Sequence, residues 1–211
     1  AFATALGVIA AGLTWLAIRR DAPRWLVPAG AAIGLLVATR WTGVFLALAL
    51  AAAVLALRPD RRRWLAWGLP AFGLLAPAVY LTTFAPFVAI GGWGRVLDPA
   101  NWQAVLALNL DVFRYHGADV GVHPYHSPWW AWPFMAVVPW YQFAASPDGA
   151  QVAGIAAIGD PLLWGAFPFA VAWAGFQAYR VKDAGLGFAA GLAAALWLPW
   201  ALTARPTTFM T

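Results

Sequence analysis

Apolar residues in this chain come in long unbroken runs rather than in alternation. Six stretches, 2 to 18, 25 to 39, 43 to 57, 65 to 90, 159 to 179 and 185 to 203, carry almost no charge. About 20 apolar residues cross a bilayer core, with a range of roughly 17 to 25. The pattern therefore predicts an all-α, polytopic transmembrane helical bundle of about six spans. The second and third runs are short and are separated only by Arg40-Trp41-Thr42, so they read either as a tight hairpin of two spans or as a re-entrant pair. The predicted organisation is residues 1 to 90 as about four spans, 91 to 158 as an extracytoplasmic loop, and 159 to 211 as two spans with the start of a further outer segment.

Composition agrees with lipid as the main solvent. Hydrophobic residues make up 63% of the 211 and charged residues 10%, and mean hydropathy is +0.71; a soluble domain carries about 25% charged residues. Cys and Glu are both absent, which removes disulfides and thiolate metal sites. The net charge of +5 raises nucleic acid as a partner, but the basic residues sit in short clusters between apolar runs, which is a topology signal and not a phosphate-tracking groove. The chain opens inside an apolar run without a basic leader or cleavage site, and Arg205 to Thr211 ends without a tail pattern. Both ends are expected to be cuts in a longer protein.

The basic clusters set an orientation. With linkers 19 to 24, 58 to 64 and 180 to 184 facing the cytoplasm, nine of thirteen basic residues lie on that side, as the positive-inside rule requires. The alternation closes only if 25 to 39 and 43 to 57 are two spans, which favours the hairpin. Residues 91 to about 160 then face outward, and their richness in Trp, Tyr and Phe argues against disorder. Within them, Trp102, Val105, Leu106, Leu110 and Phe113 recur at helical spacing, predicting an interfacial helix over 99 to 116 that starts at Asp98-Pro99. Of the fifteen Trp, Trp15, Trp25, Trp64, Trp67, Trp197 and Trp200 read as membrane-interface belt residues.

Candidate chemistry concentrates in the outer segment. All three His fall among Tyr115-His116 and His123-Pro124-Tyr125-His126-Ser127-Pro128-Trp129-Trp130-Ala131-Trp132-Pro133. Three readings stay open for them. A metal site needs convergent imidazoles with a carboxylate partner, and no ligand spacing is matched. Proton transfer or hydrogen bonding to a sugar or phosphate is the second, and structural hydrogen bonding in a Pro-rich loop the third. The adjoining Trp and Tyr offer flat apolar faces with one polar handle each, suiting a pyranose or the headgroup boundary. Arg40 and Arg205 lie at the outer ends of spans, where a guanidinium can hold a lipid phosphate or snorkel to the interface.

These residues, in this order, with Leu198-Pro199-Trp200, Arg205 and Phe209 following, resemble bacterial, especially actinobacterial, protein O-mannosyltransferases. The stretch Gly34 to Gly43 is similar to that family's Gly-rich span ending in a basic residue and Trp, although Arg40 stands where Lys is more usual. The resemblance covers about residues 25 to 209. It implies a GT-C type membrane glycosyltransferase that inverts at the anomeric carbon and takes mannose from polyprenyl-phosphate-mannose, at the extracytoplasmic face of the bacterial plasma membrane, onto Ser or Thr hydroxyls of secreted proteins. It would place His123, Tyr125, His126, Ser127, Trp129, Trp130 and Trp132 around the sugar and acceptor, and Arg40 and Arg205 near the carrier phosphate. The family's acidic base lies in a first outer loop upstream of this sequence, so no catalytic base is nominated. Asp111 and Asp119 are the nearest carboxylates and read as structural. No cofactor is implied with certainty, and a divalent metal is left open. The rival readings are another lipid-linked glycosyltransferase of the same fold, for example an arabinosyl transferase; a transporter, for which Pro70, Pro77 and Pro86 would break the fourth span; and a non-catalytic membrane scaffold.

Overall fold

The computed structural model describes residues 2–117, 126–137, 140–156, 158–202 and 207–208. They are mostly helical, and three helices, Phe2–Arg19, Arg61–Thr82 and Ala184–Ala201, are long and apolar enough to cross a membrane. Two shorter apolar helices, Pro23–Thr39 and Gly43–Leu57, stand where the sequence predicts the hairpin. The chain divides into two compact units, residues 1–114 and 115–211.

The first unit contains α1 (Phe2–Arg19), α2 (Leu26–Thr39), α3 (Gly43–Leu57), α4 (Arg61–Gly68), α5 (Ala76–Thr82), α6 (Ala85–Val88) and most of α7 (Pro99–Gly117). Its centre is α2, which packs on α1, α3 and the α4–α5 helix and buries Leu26, Ala29, Gly30, Ala32, Ile33, Gly34 and Leu36. The spacing of Gly30 and Gly34 explains how: a Cβ on Gly30 would lie 2.2 Å from the Ala71 carbonyl oxygen, and one on Gly34 2.5 Å from that of Ala76. Helices in lipid gain little from hydrophobic burial against each other, so small residues that let backbones approach take over the packing role. Between α4 and α5 the helix widens into a π segment, Leu69–Leu75, where the Ala76 N–H bonds to the Ala71 carbonyl. Pro70 is its second residue and Pro77 lies just past its end, and each lacks the N–H of a regular helical ladder. The predicted span over 65 to 90 thus runs from Arg61 to Thr82. It stops where the Thr82 and Thr83 hydroxyls bond to the carbonyls of Val79 and Tyr80 (2.7 and 2.6 Å), and a separate short turn, α6, follows.

Connections in this unit are specified by side chains. At the end of α1, the Asp21 N–H bonds to Ile18 O (3.3 Å) and the Ala22 N–H to Ala17 O (3.0 Å), the paired closure of a left-handed helix cap. Asp21 holds the left-handed φ of 49° that glycine usually takes, a conformation Asp tolerates better than most residues. Asp60 caps α4 by accepting from the Arg63 N–H. The predicted start of α7 is observed, with the Asp98 carboxylate accepting from the Ala100 N–H at 2.9 Å and Pro99 as the first helical residue. One stripe of α7 docks on the bundle through fully buried Val105 and through Asn109, which accepts from the Tyr80 hydroxyl; Leu106, Leu110 and Phe113 remain exposed.

The second unit contains α8 (Pro161–Val181) and α9 (Ala184–Trp197), which pack together. They are capped by Asp160 and Asp183, each accepting from two backbone N–H groups. Strands appear here that the all-helical reading did not anticipate. Strand β1 (His126–Ser127) pairs with β4 (Thr207–Thr208), and β2 (Trp140–Ala145) with β3 (Val152–Ala156), both antiparallel. The β2–β3 turn, Ser146-Pro147-Asp148-Gly149, has left-handed Gly149 (φ 69°), and its Asp148 carboxylate accepts from the Ser146 hydroxyl and the Ala150 N–H. Those hydrogen bonds, the Ser146 bond foremost, hold the Asp148 carboxyl below the usual carboxylate range.

Candidate functional site

The sequence's densest aromatic string folds as a short 3-10 turn, Trp129–Phe134. Pro128, extended at φ −65° and ψ 147°, leads into it, and Met135, left-handed at φ 47°, closes it by donating its N–H back to Ala131 and Trp132. The tight turn sorts its side chains: Ala131 and Pro133 are buried, Trp129 and Trp132 are half-buried, and Trp130 is 58% exposed.

Trp129 and Trp132 meet two tryptophans from the end of α9. The Trp129 and Trp197 rings lie edge to face at 5.3 Å, and the Trp197 indole N–H donates to the Trp129 carbonyl at 3.2 Å. Trp132 and Trp200 are 5.5 Å apart. Helix α8 extends the cluster through Phe167, 5.6 Å from Trp197, and Trp164, 6.3 Å from Phe167. The Trp164 indole covers Gly159, where a Cβ would lie 2.3 Å from its nitrogen. Pro199 helps explain why Trp197 and Trp200 are presented this way, since the α-helix gives way at Leu198 to a 3-10 turn over Leu198–Leu202.

The backbone adds a second juxtaposition. The β1–β4 ladder sets His126 opposite Thr208 and Ser127 opposite Thr207, so the stretch leading into the tryptophan turn runs beside the chain just past Arg205. His123, Tyr125 and Arg205 themselves lie outside the described residues, as does Asp119. Arg40 belongs to the first unit. It ends α2 at the α2–α3 turn, exposed, with its N–H on Leu36 O and its carbonyl accepting from Gly43 (2.8 and 2.9 Å). Of the predicted residues, then, the structure places His126 and Ser127 by backbone pairing with Thr208 and Thr207 and brings Trp129 and Trp132 onto the end of α9. Trp130 is exposed beside them and makes none of the ring contacts.

Sequence reasoning missed Trp164 and Phe167, and assigned Trp197 and Trp200 to the interface belt. The available signal was spacing: each pair is three residues apart on a helical segment, which puts both rings on one face. Trp64, also read as a belt residue, is 1% exposed and packs under the Arg58 guanidinium at 5.1 Å. The described aspartates have structural partners throughout. Asp60, Asp98, Asp160 and Asp183 cap helices, Asp21 and Asp148 hold turns, and Asp111 pairs with Arg114 at 3.3 Å. Among the described residues no group of three or more His, Cys, Asp or Glu is placed to hold a metal.

Chemically, the cluster offers aromatic edges and faces, which suit apolar ring or chain surfaces. Comparison with protein-family models, curated proteins and solved structures finds no match. The class that the fold itself defines is a mostly helical protein with three helices able to cross a membrane.

Proposed function

We propose that this chain is part of a membrane glycosyltransferase that transfers mannose from polyprenyl-phosphate-mannose to Ser or Thr hydroxyls of secreted proteins, through a six-span GT-C type bundle with its active face outside the bacterial plasma membrane. The observation carrying this reading is the meeting of Trp129 and Trp132 with Trp197 and Trp200, because sequence stretches some 68 residues apart, both belonging to the resemblance, converge on one aromatic wall. Indole faces complement the C–H face of a pyranose and the isoprene units of a lipid carrier. In this reading Trp129, Trp130, Trp132, His123, Tyr125, His126 and Ser127 line the sugar and acceptor region, and Arg40 and Arg205 stabilise the charge that develops on the departing polyprenyl phosphate. This reading nominates none of the described aspartates, which have structural partners, as the base that takes the acceptor proton.

The reading is tested by expressing the reading frame that contains this chain in membranes and measuring transfer of labelled mannose from polyprenyl-phosphate-mannose to a Ser/Thr-rich peptide. Wild-type transfer that falls at least about a hundredfold in Arg205→Ala and about tenfold in Trp132→Ala, at equal expression, is expected from the loss of charge stabilisation and of substrate positioning. Absence of transfer by well-folded protein would overturn the mannose and peptide assignment. Transfer of a different sugar from its polyprenyl phosphate would identify the arabinosyl-type alternative. The transporter alternative has the π segment Leu69–Leu75 as its broken helix, but no Asp, Glu, Lys or Arg occurs between Trp64 and Gly94 to bind a coupling ion there.

A further inference from the structure

The charge of this chain is not spread along it. Between Arg19 and Arg63 there are, apart from Arg40, seven arginines and two aspartates, a net +5, while the other six basic and six acidic residues cancel. The whole formal excess of the chain therefore sits at the α1–α2 and α3–α4 connections and the helix ends that border them, and the fold brings these two connections together. Arg63 donates from Nη1 to the Asp21 carboxylate and from Nη2 to the Asp21 carbonyl, both at 2.8 Å, and Arg58 lies 3.5 Å from the same carboxylate. The second aspartate, Asp60, is occupied as the α4 cap. Both acids are thus committed to internal bonds, and the other arginines of the cluster are exposed with no acidic partner among the described residues.

The surroundings fit a lipid. Arg24 and the clamped Arg63 wall a surface notch with Asp21 and Trp67, and Arg19 and Arg20 wall a second with Trp15 and Leu16. Both lie at the ends of membrane-length helices, Phe2–Arg19 and Arg61–Thr82. Below the charges, Leu65 and Leu69 are exposed along the second of these helices, where an acyl chain would continue from a bound phosphate. Of the five N–H donors of the Arg63 guanidinium, Asp21 takes two and the rest stay available to a phosphate oxygen, while an adjacent indole suits the headgroup boundary.

We infer that this arginine face is a binding surface for anionic phospholipid headgroups of the leaflet it meets, with the phosphate seated between Arg24 and the Asp21-clamped Arg63 against Trp67. The inference stands apart from the glycosyltransferase reading. Its test uses the full chain reconstituted in phosphatidylcholine vesicles containing phosphatidylglycerol, re-extracted in mild detergent, with retained lipid quantified by mass spectrometry. Wild type is expected to retain phosphatidylglycerol over phosphatidylcholine. The double variant Arg24→Gln/Arg61→Gln should lower that retention by more than about tenfold, at about fivefold per arginine near an anionic surface, while Arg180→Gln/Lys182→Gln, which removes equal charge elsewhere, leaves it unchanged. Arg24→Lys, which keeps charge but loses the paired geometry, should lose part of it and guards against misfolding of the double variant. Equal loss in both double variants, no preference for phosphatidylglycerol, or displacement by equimolar inorganic phosphate would each overturn the lipid assignment.

Discussion

In residues 1–114 the α2 backbone lies directly against the carbonyls of Ala71 and Ala76, because Gly30 and Gly34 remove the side chains that would separate them. In residues 115–211 the turn Trp129–Phe134, α8 and α9 are joined by rings, and α8 buries none of its own residues. The contrast shows two ways of holding apolar segments together, backbone against backbone and ring against ring. Close backbone packing is intolerant of added volume and suits a fixed scaffold. Edge contacts between aromatics give way to small shifts more easily and leave part of each ring surface uncovered.

The largest effect expected from breaking this contrast is Gly30→Leu. The new side chain would have to displace backbone, not a flexible neighbour, so a loss of about 3 kcal/mol or more is expected, read as a lowered thermal midpoint of the purified protein in detergent. Gly12→Leu, where an added Cβ meets nothing within 4 Å, should leave the midpoint unchanged. If both behave alike, the glycine contact does not organise the first unit. Next is Trp197→Ala, which removes two ring contacts and an indole hydrogen bond at a half-buried site; about 2 kcal/mol is expected from the aromatic and hydrogen-bond terms together. Trp130→Ala, in the same turn but exposed, should stay within about 0.5 kcal/mol. Loss of the cap in Asp183→Ala should cost about 1 kcal/mol, seen as a smaller downward shift of the same midpoint.

The smallest effect sharpens the comparison through pH. The Arg63 hydrogen bond, followed by the charges of Arg63 and Arg58, holds the Asp21 carboxyl below the usual carboxylate range. Because the folded-state pKa is the depressed one, the clamp stabilises the fold above the usual carboxylate range, and that contribution disappears as pH falls through the lowered value. The difference in thermal midpoint between wild type and Asp21→Asn should therefore be present near neutrality and vanish in strong acid. A difference that persists there would show that the left-handed turn, and not the ion pair, is what Asp21 supplies.

What the sequence determined by itself is what rests on local chemistry. Runs of apolar residues place α1, α2, α3, α8 and α9, and Asp98-Pro99 marks the start of α7, because helix formation and capping are decided within a few residues. The same locality exposes what was overlooked: Ser-Pro-Asp-Gly between two apolar segments is a turn signal, and it makes the β2–β3 hairpin. The tertiary structure alone decided that Trp197 and Trp200 meet Trp129 and Trp132, that His126–Ser127 pairs with Thr207–Thr208, and that Asp21 clamps Arg63 across 42 positions of sequence. An aromatic side chain is equally at home in an interface belt or in a cluster, and only the path of the backbone brings its partner within reach.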